Sequence, residues 1–192
     1  MLHARCAVTV LLALCAGGCV IPQRDAAREV LDPDTGATVT AMGTALEFYS
    51  PRPDLGLQAA SFAQLGAMET NRMGERRLLL WLSVLPGGAA AQQDQAEVPK
   101  SLTIVTGTAE HRPALVASAA RDIGLSRTPF KRPGDWAHDA YFDVDLDQLR
   151  EFVTADPLAL VITSADGSVQ RYELWKPERG SLAQFIEKIA PE

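Results

Sequence analysis

The chain has 192 residues, with 18 Lys and Arg against 24 Asp and Glu and a net charge of −6. Its three cysteines, Cys6, Cys15 and Cys19, all fall within the first nineteen positions, which excludes a disulfide framework or a cysteine-ligated zinc from the body of the chain. The acidic balance, with no basic stripe, argues against a nucleic-acid partner, and an apolar content of 47% suits one ordinary core rather than a disordered chain.

Met1 to Arg5 carries one firm positive charge, and Ala7 to Ala16 is an uninterrupted apolar run. Ten helical residues rise about 15 Å, half of a bilayer's hydrocarbon thickness, so the run is too short to span a membrane. It predicts the hydrophobic region of a secretory signal peptide. The residues that follow, Ala16-Gly17-Gly18-Cys19, resemble the lipobox of bacterial lipoprotein precursors, with Ala16 where Leu is usual. That resemblance covers the leader alone. It implies removal of residues 1–18, lipid on Cys19, and attachment to the membrane through that lipid. Val20 rather than Asp after the cysteine implies delivery to the outer membrane, facing the periplasm. An ordinary secretory signal cut after a small residue is the alternative. Without its first eighteen residues the chain has 174, with 17 basic against 24 acidic side chains and a net charge of −7. An anionic leaflet repels such a domain, so attachment falls to the lipid.

Residues 19–36 are polar and contain two prolines, a pattern for a tether ending in a short helical turn around Asp25 to Leu31. A single β-rich domain over 37–192 follows. Thr38 to Thr40 and Ala45 to Ser50 read as strands, the second stopped by Pro51 and Pro53. Ser61 to Thr70 and Arg76 to Leu85 predict a hairpin in which Gly74 takes the positive-φ position. Arg76–Leu85 is apolar on both faces, the mark of a strand covered on both sides. Low-complexity residues 86–99 predict a flexible excursion. Ser101 to Gly107 is a strand, and His111 to Ala119 is read as its hairpin partner, a short helix being the alternative. Leu125 to Gly134 is loop, and His138 to Val144 a strand.

Asp145-Leu146-Asp147-Gln148 fits a capping box that opens a helix with Leu146, Leu149, Phe152 and Val153 on one stripe. Leu158 to Ser164 and Val169 to Trp175 flank an Asp166-Gly167 turn, the clearest hairpin signal in the chain. A last helix follows Gly180, capped by Ser181, with Leu182, Phe185, Ile186 and Ile189 as its core stripe. About nine strands and two short helices in the C-terminal half predict a mainly β fold, an antiparallel β-sandwich or open barrel. An α+β sheet with both helices on one face is the alternative.

Chemistry-bearing motifs are scarce. Gly124-Leu125-Ser126-Arg127-Thr128 lacks the second glycine of a nucleophile elbow, and no Gly-rich phosphate loop occurs. No catalytic residue, metal ligand or cofactor is assigned. Asp143, Asp145 and Asp147 have a calcium-loop spacing, but Gln148 occupies the glycine position and Thr154 the bidentate position. Helix capping accounts for them better. The residues left as partner-binding candidates are Arg72 and Arg76 on the hairpin around Met73, and Arg132, Trp136 and His138 in a loop bordered by Pro133 and Gly134. Exposed Trp and Arg are typical interface anchors. The expected function is a lipid-anchored envelope lipoprotein acting as a non-enzymatic binding or assembly module, with an envelope protein as its possible partner. Two alternatives are a periplasmic hydrolase using His138 with separated carboxylates, and a purely structural surface lipoprotein.

Overall fold

A computed structural model describes residues 26–56, 59–85, 98–107 and 109–190. The expected signal peptide, Cys19, and excursion residues 86–97 lie outside the described residues. Among the described residues the fold is mainly β: an eleven-stranded antiparallel sheet curled into a half-barrel, with two helices. The strands are β1 (Arg28–Leu31), β2 (Thr38–Ala41), β3 (Leu46–Pro51), β4 (Ala60–Arg72), β5 (Glu75–Leu85), β6 (Pro99–Thr106), β7 (Ala109–His111), β8 (Leu115–Ala117), β9 (His138–Asp143), β10 (Leu158–Ser164) and β11 (Val169–Leu174). The helices are α1 (Leu146–Thr154) and α2 (Gly180–Ile189).

Strand order is β7-β6-β10-β11-β3-β4-β5-β9-β8. Thirteen-residue β4 is long enough to pair with β3 through residues 60–65 and with β2 through residues 68–71, and β1 pairs with β2. The first and last strands of the order, β7 and β8, are consecutive in the chain and joined by Arg112, Pro113 and Ala114 alone. Such a link reaches at most about 14 Å, so the sheet has to curl until its two ends come close.

The β4–β5 and β5–β9 registers sort the central side chains onto two faces. Leu80, Leu82, Val84, Leu65, Ala67, Ala140 and Phe142 share the inner face, joined there by Phe48, Leu160, Ile162, Ile104 and Tyr172. Phe152 of α1 and Leu182 and Phe185 of α2, all at most 2% exposed, close the core; Phe152 meets the inner-face His111 ring edge-on at 5.4 Å. Leu79, Trp81, Ser83, Met68, Tyr141 and Asp139 fall on the outer face. Both faces of β5 are therefore covered, as its continuous apolar run requires.

Turns follow residue chemistry. Met73 and Gly74 both take positive φ (54° and 89°), the geometry of a tight primed turn. Gly167 has φ 85°, and the turn carbonyl of Ser164 accepts from its N–H. The capping box at α1 is formed in both directions between Asp145 and Gln148.

Three local expectations are corrected. Residues 28–31 form a strand rather than a helical turn, because backbone pairing with β2 satisfies their N–H and C=O groups, so the paired chain starts inside the stretch expected to be tether. His111 to Ala119 is not one strand. Ala109–His111 completes the hairpin with β6, whereas Leu115–Ala117 pairs with β9. Ser181 does not cap α2; the helix starts at Gly180, and the Ser181 hydroxyl accepts from the Thr44 N–H at 2.9 Å.

Candidate functional site

The chain between β8 and β9 has no helix or strand longer than one 3-10 turn (Ala120–Ile123), yet it lies as a strap along the outer face of β5. At its start Gly124 sits beside the Arg72 guanidinium; at its end Gly134 sits against Leu85. Three apolar anchors hold it: Leu125, Phe130 and Ala137, each 1–6% exposed. The Phe130 ring stacks on Trp81 with centroids 4.8 Å apart and planes 12° from parallel. Gly66, across the ladder from Trp81, leaves room for that ring where any Cβ would collide with it. Phe130 therefore plugs this face of the sheet, and Trp136 stays 53% exposed.

Polar contacts fasten the two ends. Asp32, in the β1–β2 turn, accepts from the Asp34 and Thr35 N–H groups with Oδ1 and from the Ser126 N–H with Oδ2 at 2.7 Å. These bonds, the one from Ser126 foremost, hold its carboxyl below the ordinary value. Farther along, Arg132 donates to the Ala137 carbonyl and pairs through Nε with Asp139 Oδ2 at 3.2 Å. Burial pushes the Asp139 carboxyl above its ordinary value, against the opposing pull of Ser83, Arg132 and Trp81. Burial likewise raises the neighbouring Tyr141 hydroxyl to about 12. Gln64 Oε1, the Trp81 indole N–H, the Ser83 hydroxyl, Asp139 Oδ1 and the Tyr141 hydroxyl form a buried polar layer beneath the strap, none with a hydrogen-bond partner of normal geometry among the described residues. Such groups are uncommon in native folds.

Two clefts flank the strap. One, of about 360 Å³, is lined by Arg28, Leu31, Arg127, Pro129, Phe130 and Lys131 among others. The second, of about 440 Å³, shares Arg28, Phe130 and Lys131 and is bordered by Arg132, Glu47 and Gln64. The charges there are unbalanced. Glu47 is engaged by Lys176 at 3.0 Å and Asp32 by three backbone N–H groups, while Arg127 and Lys131 have no hydrogen-bonding or ionic partner among the described residues. On a chain of net charge −6, this is a local cationic surface.

The predicted site residues do not converge. Arg72 and Arg76 sit on the β4–β5 hairpin, where Arg76 is bound to Glu69 at 2.6 Å and to the Ile189 carbonyl of α2. Arg132 and Trp136 sit at the opposite end of the strap. His138 is paired with Val84 on the inner-face side of β9, lines neither cleft, and makes no side-chain hydrogen bond or ion pair among the described residues. Asp143, Asp145 and Asp147 do structural work: Asp143 pairs with Arg77, Asp145 caps α1, and Asp147 pairs with Arg150. Among the described residues, no group of three or more His, Cys, Asp or Glu is placed to hold a metal.

A Thr-His-Glu cluster escaped the sequence reading. Glu151 Oε1 accepts from the Thr106 hydroxyl and lies 3.0 Å from His111 Nε2; Thr106 Oγ1 lies 3.2 Å from that same nitrogen. A proton relay engages the two ring nitrogens with different partners. Here Nε2 alone faces both, and the cluster acts as a pin from β6 and β7 to α1. The hairpin that folds His111 back toward Thr106 was legible in the sequence; the arrival of Glu151 from α1 was not.

No helix among the described residues is long and apolar enough to cross a membrane. No protein-family model matches the chain, and neither a curated protein nor a solved structure matches it.

Proposed function

We propose that the protein is a cell-envelope lipoprotein, held at the outer membrane by lipid on Cys19 and facing the periplasm, whose domain is a non-enzymatic binding or assembly module. The observation that carries the binding part is the strap: an irregular segment, fixed by Phe130 and Asp32, that presents Arg127 and Lys131 without acidic partners between two clefts. Loops on a rigid scaffold are the usual seat of recognition, and unpaired cations on an acidic domain favour an envelope protein with an acidic surface, by charge complementarity. The attachment part rests on the lipobox-like Ala16-Gly17-Gly18-Cys19.

Envelope crosslinking and pull-down tests the module. Arg127→Ala/Lys131→Ala is expected to lower partner recovery several-fold at unchanged stability, and equal recovery refutes the surface. Arg132 is unsuited to this test, because its removal strands Asp139 beneath the strap. Fractionation tests the anchor: Cys19→Ala is expected to shift the protein from membrane to soluble periplasm, and unchanged sedimentation with the membrane refutes lipid attachment.

A further inference from the structure

The outer face carries a row of aromatic side chains beyond the end of the strap. Tyr49 and Phe62 are register partners, as are Phe62 and Leu85. Trp175 meets Tyr49 at 4.9 Å and Phe62 at 6.1 Å. Leu85 and Trp136 both approach the face of Gly134, within 3.5 Å of where a Cβ would stand. The row thus runs Trp175–Tyr49–Phe62–Leu85–Trp136 across β3, β4 and β5. Phe62, Trp136 and Trp175 are 41–53% exposed, and contiguous exposed apolar surface of this kind marks a contact site.

Three observations select the occupant. The rings stand edge-on to one another, at 86° and 66°, and so offer no coplanar platform for stacking a sugar. Three neighbouring cations are matched by carboxylates, Arg52 with Asp54, Lys176 with Glu47 and Arg132 with Asp139, whereas Arg28 and Lys131, in the cleft beside Gln64, are not. Contact along the row itself is therefore apolar. Finally, β1 runs away from the Phe62 end of β4: the β1–β2 and β2–β4 registers set Arg28 level with Met68 and Leu31 level with Asn71. Arg28 also lines the cleft that contains Gln64, two residues from Phe62 on the same face. From Cys19 to Arg28 is nine residues, a reach of about 30 Å, against about 20 Å along β4 from Met68 to Phe62.

From this we infer that the aromatic row is the face the domain lays on the bilayer, with Trp136, Trp175 and Phe62 entering the headgroup region. Amphipathic rings favour that region. The inference rests on membrane attachment at Cys19 and adds an orientation: the Trp136 end of the strap meets lipid, while the Arg127 end is left facing the periplasm.

The test supplies the anchor chemically, so it does not depend on whether the cell acylates the chain. Residues 19–192 contain Cys19 as their sole cysteine. That thiol is coupled to a maleimide phospholipid in phosphatidylcholine vesicles, with or without brominated acyl chains. Emission from Trp136 and Trp175 is expected to fall by about half on bromination, insensitive to salt. Trp136→Phe/Trp175→Phe, which leaves only the fully buried Trp81, is expected to show no quenching. Equal, negligible quenching of both proteins overturns the inference. So does concentration-dependent self-association of the uncoupled chain that Phe62→Ser/Trp175→Ser abolishes, since a second copy would then own the row. Failure of Cys19→Ala to alter fractionation in cells refutes native anchoring and leaves the vesicle result standing.

Discussion

Gly66 offers a sharp test of how the strap is held. Alanine in a strand is ordinarily favoured over glycine by about 0.5–1 kcal/mol, because glycine loses more backbone freedom on folding. At Gly66 the sign should reverse. An added Cβ would stand 2.6 and 2.8 Å from Phe130 Cε1 and Cε2, with Cζ closer still, and the ring is clamped on its other face by Trp81. Overpacking of this kind costs about 1–3 kcal/mol, so Gly66→Ala should lose roughly 1–2 kcal/mol net. Phe130→Ala should lose about 3–5 kcal/mol, the usual range for a buried Phe, of which stacking on Trp81 supplies about 0.5–1.5. Once the ring is gone, Gly66→Ala has nothing to strike and should become neutral or stabilising. Urea unfolding of the four proteins closes a double-mutant cycle, with an expected coupling of roughly 2 kcal/mol. If Gly66→Ala stabilises the parent protein, or has the same effect in both backgrounds, the close approach of strap to sheet is refuted.

Four further outcomes follow from the polar and turn chemistry. Asp139 has a raised folded value, so its contribution to stability is full below the ordinary carboxylate value and is lost as pH rises through the folded one. Asp139→Asn should therefore flatten the stability profile on the basic side of the ordinary value, measured by urea titration at stepped pH. For Glu151 the sign is opposite: bonds from Thr106 and His111 lower its value, giving stability present above the ordinary value and lost as pH falls. Glu151→Gln should be destabilising at neutral pH, with a deficit that vanishes in acid. Met73 is fully exposed and held at φ 54°, so Met73→Gly should gain up to about 1 kcal/mol by relieving left-handed strain. Asp145→Ala removes the α1 cap and should cost about 1 kcal/mol, read as a lower denaturation midpoint.

Where one local rule governed an element, the sequence was enough. Alternation located β3 and β9, the turn around Gly74 located the β4–β5 hairpin, the Asp166-Gly167 pair located the β10–β11 hairpin, and the double-faced apolar run of β5 announced a strand covered on both sides. Elements held by distant partners were illegible. All four residues of β1 are exposed, and backbone pairing alone makes it a strand. Ser181 has the chemistry of a cap, yet its hydroxyl is taken by Thr44, 137 positions away. In the strap, an aromatic in a proline-bordered loop has no period to betray it. Trp136 attracted attention by its size, while Phe130 is the buried ring. The clearest overlooked sign was Gly66, a glycine in mid-strand facing Trp81, since such a position commonly marks close approach by another segment.

The three-residue bridge from β7 to β8 also bears on how the ends of the sheet are guarded. An open sheet exposes two rows of unpaired backbone groups, each a template for a foreign strand. In this sheet, both ends of the strand order are three residues long, too short to seed a stable ladder, and Pro113 in the bridge has no N–H to offer an incoming chain. The β8–β9 register is also irregular between Leu115 and Ala117. A single nick between Arg112 and Ala114 would sever the bridge and free both ends of this strand order together. Limited cleavage there should raise the protein's tendency to aggregate without removing a single core residue.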